Sequence, residues 1–166
     1  SPVDVEIGTE LLHHPLPEVE HKTTRITPDE ARVMGFFFGD GSCGNYDCKS
    51  GKKSSWALNN ASIIILESYQ ELCNKAYPEL EWICLPTYDS SSVYKLVPRS
   101  SEYGSIAKFV KKYRSMLYKG KAKVIPQSVL NSSFEVRKAF FDGLYDADGD
   151  KDQREYTRID QKHHIS

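Results

Sequence analysis

A nine-residue pattern occurs twice in this chain, and it constrains the fold more than any other feature. Val33-Met34-Gly35-Phe36-Phe37-Phe38-Gly39-Asp40-Gly41 stands against Phe141-Asp142-Gly143-Leu144-Tyr145-Asp146-Ala147-Asp148-Gly149. Both copies read apolar-x-Gly-apolar-aromatic-x-small-Asp-Gly. Such a repeat points to two similar supersecondary units in one chain. Each copy follows a helix-start signal. Thr27-Pro28 with Glu30 forms a capping box with proline at the first helical position, and Ser132 with Glu135 offers a second box. Gly35 and Gly39 share one helix face, as do Ala139, Gly143 and Ala147. Small residues at that spacing let helix backbones approach closely, although glycine inside a helix costs about 1 kcal/mol against alanine. Gly35, Gly39, Gly143 and Ala147 are therefore the expected helix interface. Gly41 and Gly149 are expected to end the helices in left-handed caps, which would bring Asp40 and Asp148 close together.

Two carboxylates at paired helix C-termini share a negative field, because the last carbonyls carry the negative end of the helix dipole. Hard cations such as Mg²⁺ or Mn²⁺ relieve that field, with Asp40 and Asp148 as carboxylate ligands and Gly39 and Ala147 as the carbonyl-bearing neighbours. Paired metals about 3.5–4 Å apart suit in-line phosphodiester hydrolysis. A single Asp-Gly after a helix is usually only a turn, but two at matching positions weigh against that. Asp146 to Asp152 also resembles a calcium loop. Counted from Asp146, however, the sixth position is Lys151 and the twelfth Thr157; counted from Asp148 they are Gln153 and Ile159. Neither register is an EF-hand. The Asp-Thr/Ser-Gly turns of an aspartic protease do not occur.

Between the two motifs the pattern predicts a hairpin from Ser42 through Leu58, then a helix over Ala61–Ala76 with Ile64, Ile65, Tyr69, Leu72 and Cys73 on one side. A second hairpin is expected over Trp82–Val97, turning at Asp89 to Ser92, followed by a basic helix over Ser105–Leu117. Upstream, residues 1–20 read as short strands and turns, and His13 to His21 as a linker. Downstream, Glu155–Ile159 reads as the start of a further strand. The order is αββαββα, then the same unit beginning again, which makes the fold class α+β.

No apolar run approaches the roughly 18 residues of a membrane span. Ser1-Pro2-Val3-Asp4 carries neither an initiator Met nor a signal peptide, and the chain is expected to be a piece of a longer protein. The cysteines (Cys43, Cys48, Cys73, Cys84) lack zinc-ribbon spacing and read as thiols in a reducing compartment. The net charge of −1 hides an acidic first 30 residues and a stretch, 108–123, with seven cations and no acid. A local basic stripe points either to phosphate contact or to a solvated helix face.

The doubled motif resembles that of the LAGLIDADG (DOD-type) homing endonucleases. Asp146-Ala147-Asp148-Gly149 is similar to the DADG that closes their signature, with Phe38-Gly39-Asp40-Gly41 a looser first copy. Lys123-Val124-Ile125-Pro126 resembles their lysine block, 25 residues before Asp148. Over roughly residues 25–166 the resemblance implies two αββαββα half-domains in pseudo-twofold arrangement, the second cut short after its motif helix and an incipient strand. It implies a monomeric pseudo-dimer whose sheets form a saddle over the DNA major groove. It also implies catalytic roles for Asp40, Asp148 and Lys123. The lysine would serve as electrostatic stabiliser or water positioner, with Lys121 its nearest rival. Expected duplex DNA contacts are Asn45, Lys49, Lys52, Lys53 and Asn59 around the first hairpin, and Lys111, Lys112, Arg114, Lys119 and Lys121 in the basic stretch.

Asp4-Val5-Glu6-Ile7-Gly8-Thr9-Glu10-Leu11-Leu12 resembles the end of an intein's N-terminal splicing segment. The style is similar to inteins in family B DNA polymerases of large DNA viruses. On that reading 1–20 belongs to the splicing element, 21–131 to the first half-domain with its linker, and 132–166 to the start of the second. The rest of the intein and the host protein are partners in cis, no membrane is involved, and the location is intracellular: cytoplasm, nucleus or viral factory. There is no N-terminal splicing block and no terminal His-Asn, so the chain alone is not expected to splice. The competing expectation is a non-cutting interior fragment of a splicing element within a DNA polymerase, or an RNA-binding maturase.

Overall fold

The capping box that opens the first helix is made as the sequence reads. In the computed structural model, which describes residues 26–49, 51–87 and 90–148, Thr27 caps α1 (Pro28–Asp40). The Glu30 amide donates to the Thr27 hydroxyl at 3.2 Å, and the Thr27 amide donates to the Glu30 carboxylate at 2.8 Å. Both orphan donors of the helix start are thereby satisfied. The chain continues through β1 (Gly41–Cys48), β2 (Gly51–Asn60), α2 (Ile63–Ala76), β3 (Glu81–Thr87), β4 (Ser90–Arg99) and α3 (Ser105–Leu117). A two-residue strand pair, β5 (Tyr118–Lys119) and β6 (Ala122–Lys123), leads to a short α4 (Gln127–Leu130) and then α5 (Phe134–Asp148). Residues 1–25, the further strand expected at Glu155–Ile159 and the cap expected at Gly149 lie outside the described residues.

The four long strands form one antiparallel sheet in the order β1-β2-β4-β3. Strand alternation sorts its two faces. Cys43, Trp56, Leu58, Leu96 and Trp82 are buried on one face, and α1, α2 and α3 all pack there. Trp56 is the centre of that layer. Its ring lies 5.4 Å from Phe37 of α1, 5.1 Å from Trp82, and 5.8 and 5.4 Å from Phe109 and Tyr113 of α3. The alternate positions Lys53, Ser55, Lys95 and Arg99 fall on the opposite face and are exposed.

Three local expectations need correction. α5 begins at Phe134, and the Ser132 hydroxyl donates back to the Ser128 carbonyl rather than capping α5 with Glu135. On α2, Ile64 is exposed at 75% while Leu66 is fully buried, because Leu66 lies three and seven residues before Tyr69 and Cys73 and so shares their core-facing side. Gly41 is not a left-handed cap. It is extended (φ −90°, ψ 156°), its amide donates to the Phe37 carbonyl, and it is the first residue of β1. A side chain would not fit there, since a Cβ on Gly41 would lie 2.3 Å from the Phe37 ring.

Candidate active site

The helix pair α1 and α5 is in backbone contact. A Cβ on Gly35 would lie 1.9 Å from the carbonyl oxygen of Phe140, and one on Gly143 would lie 2.0 Å from that of Arg32. The next contacts are Leu144 N at 2.9 Å and Phe36 N at 2.9 Å. Phe140 precedes Gly143 by three residues, as Arg32 precedes Gly35; Leu144 and Phe36 follow by one. The two helices are thus related by a local twofold. Further along, a Cβ on Gly39 would lie 2.8 Å both from the Ala147 Cβ and from a carboxylate oxygen of Asp148. Asp148 therefore sits against the residue that precedes Asp40, and the fields of both aspartates reach Lys123.

Lys123 comes to the same place from β6. Its ammonium donates to the carbonyls of Phe37 (2.9 Å), Phe38 (3.1 Å), Gly39 (3.1 Å) and Gly41 (2.7 Å). It also lies 5.2 Å above the Phe37 ring centroid. A lysine has three protons for these four acceptors, so at least one bond is shared. Burial pushes the ammonium below the ordinary lysine value, and the fields of Asp40 and Asp148 oppose that shift. The carbonyl acceptors also favour the charged form. Gly39, expected to lend its carbonyl to a cation, instead has that carbonyl on Lys123. Lys121, the rival lysine, is exposed on the β5–β6 turn beside Lys119.

The two aspartates of the second motif part company. Asp148 faces Gly39, whereas Asp146 turns into the first half, where it accepts from Arg32 at 2.8 Å and from the Tyr69 hydroxyl at 2.6 Å. Burial pushes the Tyr69 phenol far above its ordinary value, and the Asp146 carboxylate adds to the shift, so the hydroxyl stays a donor. Asp146 thus ties α5 to α1 and α2. Its counterpart in the first copy is Phe38, whose ring packs 6.0 Å from Phe140, so the repeat alone does not reveal this tie.

The expected DNA contacts are dispersed. On the first hairpin, Lys49, Lys52 and Lys53 are exposed, Asn45 accepts from the Ser54 hydroxyl at 2.7 Å, and Asn59 donates to the Asp40 carbonyl at 2.9 Å. On α3, Phe109, Val110, Tyr113 and Leu117 face the sheet, which turns Lys108, Lys111 and Lys112 away from it. Arg114 donates to the Cys43 carbonyl at 3.1 Å and stacks 4.9 Å over Tyr118. The basic helix and the open sheet face therefore lie on opposite sides of the sheet. Lys95 and Arg99 do lie on the open face. Alternation of Val93, Lys95, Val97 and Arg99 against Tyr94, Leu96 and Pro98 was the signal that could have found them.

Among the described residues no three His, Cys, Asp or Glu side chains converge as a metal-binding group. The donors at the helix ends are two carboxylates. That set fits Mg²⁺, which takes one or two carboxylates and keeps water or phosphate oxygens for its other positions, and it does not fit a nitrogen- and sulfur-bound zinc.

No protein-family model matches the sequence. The chain is 44% identical over 160 residues to a DNA polymerase of Acanthamoeba polyphaga mimivirus, an alignment covering 93% of this chain and 9% of that protein. It thus spans about a tenth of the relative it matches. Its structure is similar to mesophilic variants of the homing endonuclease I-DmoI, with a TM-score of 0.52 at 19% identity, over 76% of this chain and 64% of that one. A second structure of I-DmoI, in complex with DNA and Ca, aligns at 20% identity over 75% and 59% of the two chains, with a TM-score of 0.45. The fold is that of the LAGLIDADG homing endonucleases: a mixed α/β unit with an antiparallel sheet and paired motif helices.

Proposed function

We propose that this chain is the endonuclease region of an intein carried within a DNA polymerase of a large DNA virus, and that it cuts double-stranded DNA at a specific site. The observation that supports this best is the convergence of Asp148, Gly39 and Lys123 at the end of α1, beside a sheet whose other face is open and carries Lys53, Lys95 and Arg99. Asp40 and Asp148 are the residues that would hold a divalent cation, Mg²⁺ or Mn²⁺. Such a cation supplies a nucleophilic water at neutral pH and stabilises the leaving oxygen in phosphodiester hydrolysis.

The chain's own groups do the rest. The open sheet face holds the duplex through its phosphates, with polar side chains reaching base edges. Lys123 fixes the end of α1 and adds a positive charge where phosphate arrives. DNA binding proceeds through the lysines and arginine of the open face, separate from the two aspartates. The other half of the pseudo-dimer, the splicing element and the host protein act in cis, within an intracellular compartment.

The test is nicking of a plasmid carrying the uninterrupted polymerase-gene junction by the full-length protein, with Mg²⁺ and with chelator. Asp40→Asn and Asp148→Asn should each lower cleavage by orders of magnitude and leave duplex binding intact, because each removes a metal ligand and a charge that repels phosphate. If both variants cut like the parent, the aspartates are helix-ending turns, and the non-cutting interior fragment is the better reading.

A further inference from the structure

The last carbonyls of a helix have no partner within it and must find one elsewhere. At the end of α1 every carbonyl from Phe37 to Gly41 is taken by a side chain. Lys123 donates to four of them, and the one it does not reach, that of Asp40 itself, accepts from the Asn59 amide at 2.9 Å. Only the nitrogen of the carboxamide can donate to a carbonyl, so this bond orients the whole Asn59 side chain. Asn59 belongs to β2, an inner strand of the sheet, where it pairs with Lys95 of β4. Its neighbour Asn60 is buried, and Asn59 is half-buried. The Asp40 main chain is therefore fastened to the middle of the sheet, not to a loop.

We infer that Asn59 is a positioning residue for Asp40, which fixes the aim of that carboxylate toward the cation site, and that it is not a reader of bases. This rests on the proposed nuclease reading. Held to the Asp40 carbonyl through one of its two amide protons, the carboxamide has its plane set by the end of α1, whereas a base-reading asparagine sets both its amide nitrogen and oxygen on adenine. Freeing the Asp40 carbonyl removes its tie to the sheet, while Lys123 still holds the carbonyls on either side of it. The carboxylate then samples other directions, and a ligand that must be ordered on binding costs affinity.

The experiment uses the full-length protein and three readouts. Mn²⁺ uptake is followed by electron paramagnetic resonance, nicking of the target plasmid is followed across a Mg²⁺ series, and duplex affinity is measured in chelator on the target and on single-base variants of it. Asn59→Leu keeps the size and removes the donor. It should raise the Mn²⁺ dissociation constant and the Mg²⁺ needed for half-maximal nicking by roughly tenfold, the factor that one hydrogen bond is worth. Duplex affinity should stay within about twofold, with an unchanged order of preference among the target variants. Asn59→Gln keeps a donor and should recover part of the loss. Should the leucine variant fail to melt cooperatively, Asn59→Asp provides the same comparison with the donor replaced by an acceptor. An unchanged metal requirement, or a changed base preference at one target position, overturns the inference while leaving the nuclease reading standing. If the parent itself neither takes up Mn²⁺ nor nicks, the proposed function falls and this inference falls with it.

Discussion

Replacing Gly35 by alanine tests the helix pairing most directly. In a solvent-facing helix the change would stabilise by about 1 kcal/mol, because alanine loses less backbone entropy than glycine. Here the new methyl would meet the Phe140 carbonyl oxygen at 1.9 Å. Real Cβ contacts essentially never fall under 3.0 Å, so α1 and α5 must separate by roughly 1 Å along their contact. The obstacle is backbone, which cannot rotate away as a side chain would. Overpacking of this kind costs about 1–3 kcal/mol, and the upper end applies. Set against the propensity gain, the net loss is about 2 kcal/mol. For a chain of this size that lowers the melting temperature by about 4–8 °C. Gly143→Ala should behave alike, since its methyl would meet the Arg32 carbonyl at 2.0 Å. One separation relieves both clashes, so the double variant should cost less than the two singles together by more than about 0.5 kcal/mol. Gly44→Ala is the control, with its nearest neighbour at 3.6 Å. Chemical denaturation of the parent and these four variants reads all of this. A neutral or stabilising Gly35→Ala would refute the close approach, and strict additivity would refute the shared interface.

Lys123→Met should destabilise by about 2–4 kcal/mol in the same assay, because it strips a charged donor from four carbonyls at the negative end of α1; a loss under 0.5 kcal/mol would show those bonds to be ornamental. Tyr69→Phe should cost about 1–3 kcal/mol by leaving Asp146 with Arg32 as its remaining partner, and equal stability of the two proteins would contradict that tie. Lys95→Ala and Arg99→Ala should weaken duplex binding on any sequence and lower the salt slope by about one unit each, whereas Lys108→Ala and Lys111→Ala on the far side should not. The reverse ranking in a salt series would place the duplex on α3.

The order αββαββα and the pairing of the motif helices were legible because they are local. A capping box, a glycine spacing and a two-residue period are each written in a short window, and they agree with one another. What escaped was set by contacts distant in sequence. Asn59 was expected among the DNA contacts of the first hairpin, and its bond to the Asp40 carbonyl, 19 positions back, could not be read from the sequence. Lys123 was expected as an electrostatic stabiliser or water positioner, and its four carbonyl acceptors lie 82 to 86 positions earlier. The direction of the basic stretch was hidden for a different reason. Seven cations in a row of 16 residues describe composition, whereas direction depends on which side of α3 the aromatic residues bury.

Asp40 closes α1 and Gly41 opens β1 with no residue between them. That missing loop governs where the chain tolerates change in length. One residue added at this junction would reverse the parity of β1, turning Cys43 outward and sending Ser42 against Trp56. It would also pull the Gly41 carbonyl off Lys123. The hairpin tips near Cys48–Gly51 and Thr87–Ser90 carry no such constraint, because a turn can lengthen without moving the strands it joins. Insertions and deletions in relatives should therefore accumulate at those tips, and the junction of α1 with β1 should stay the same length.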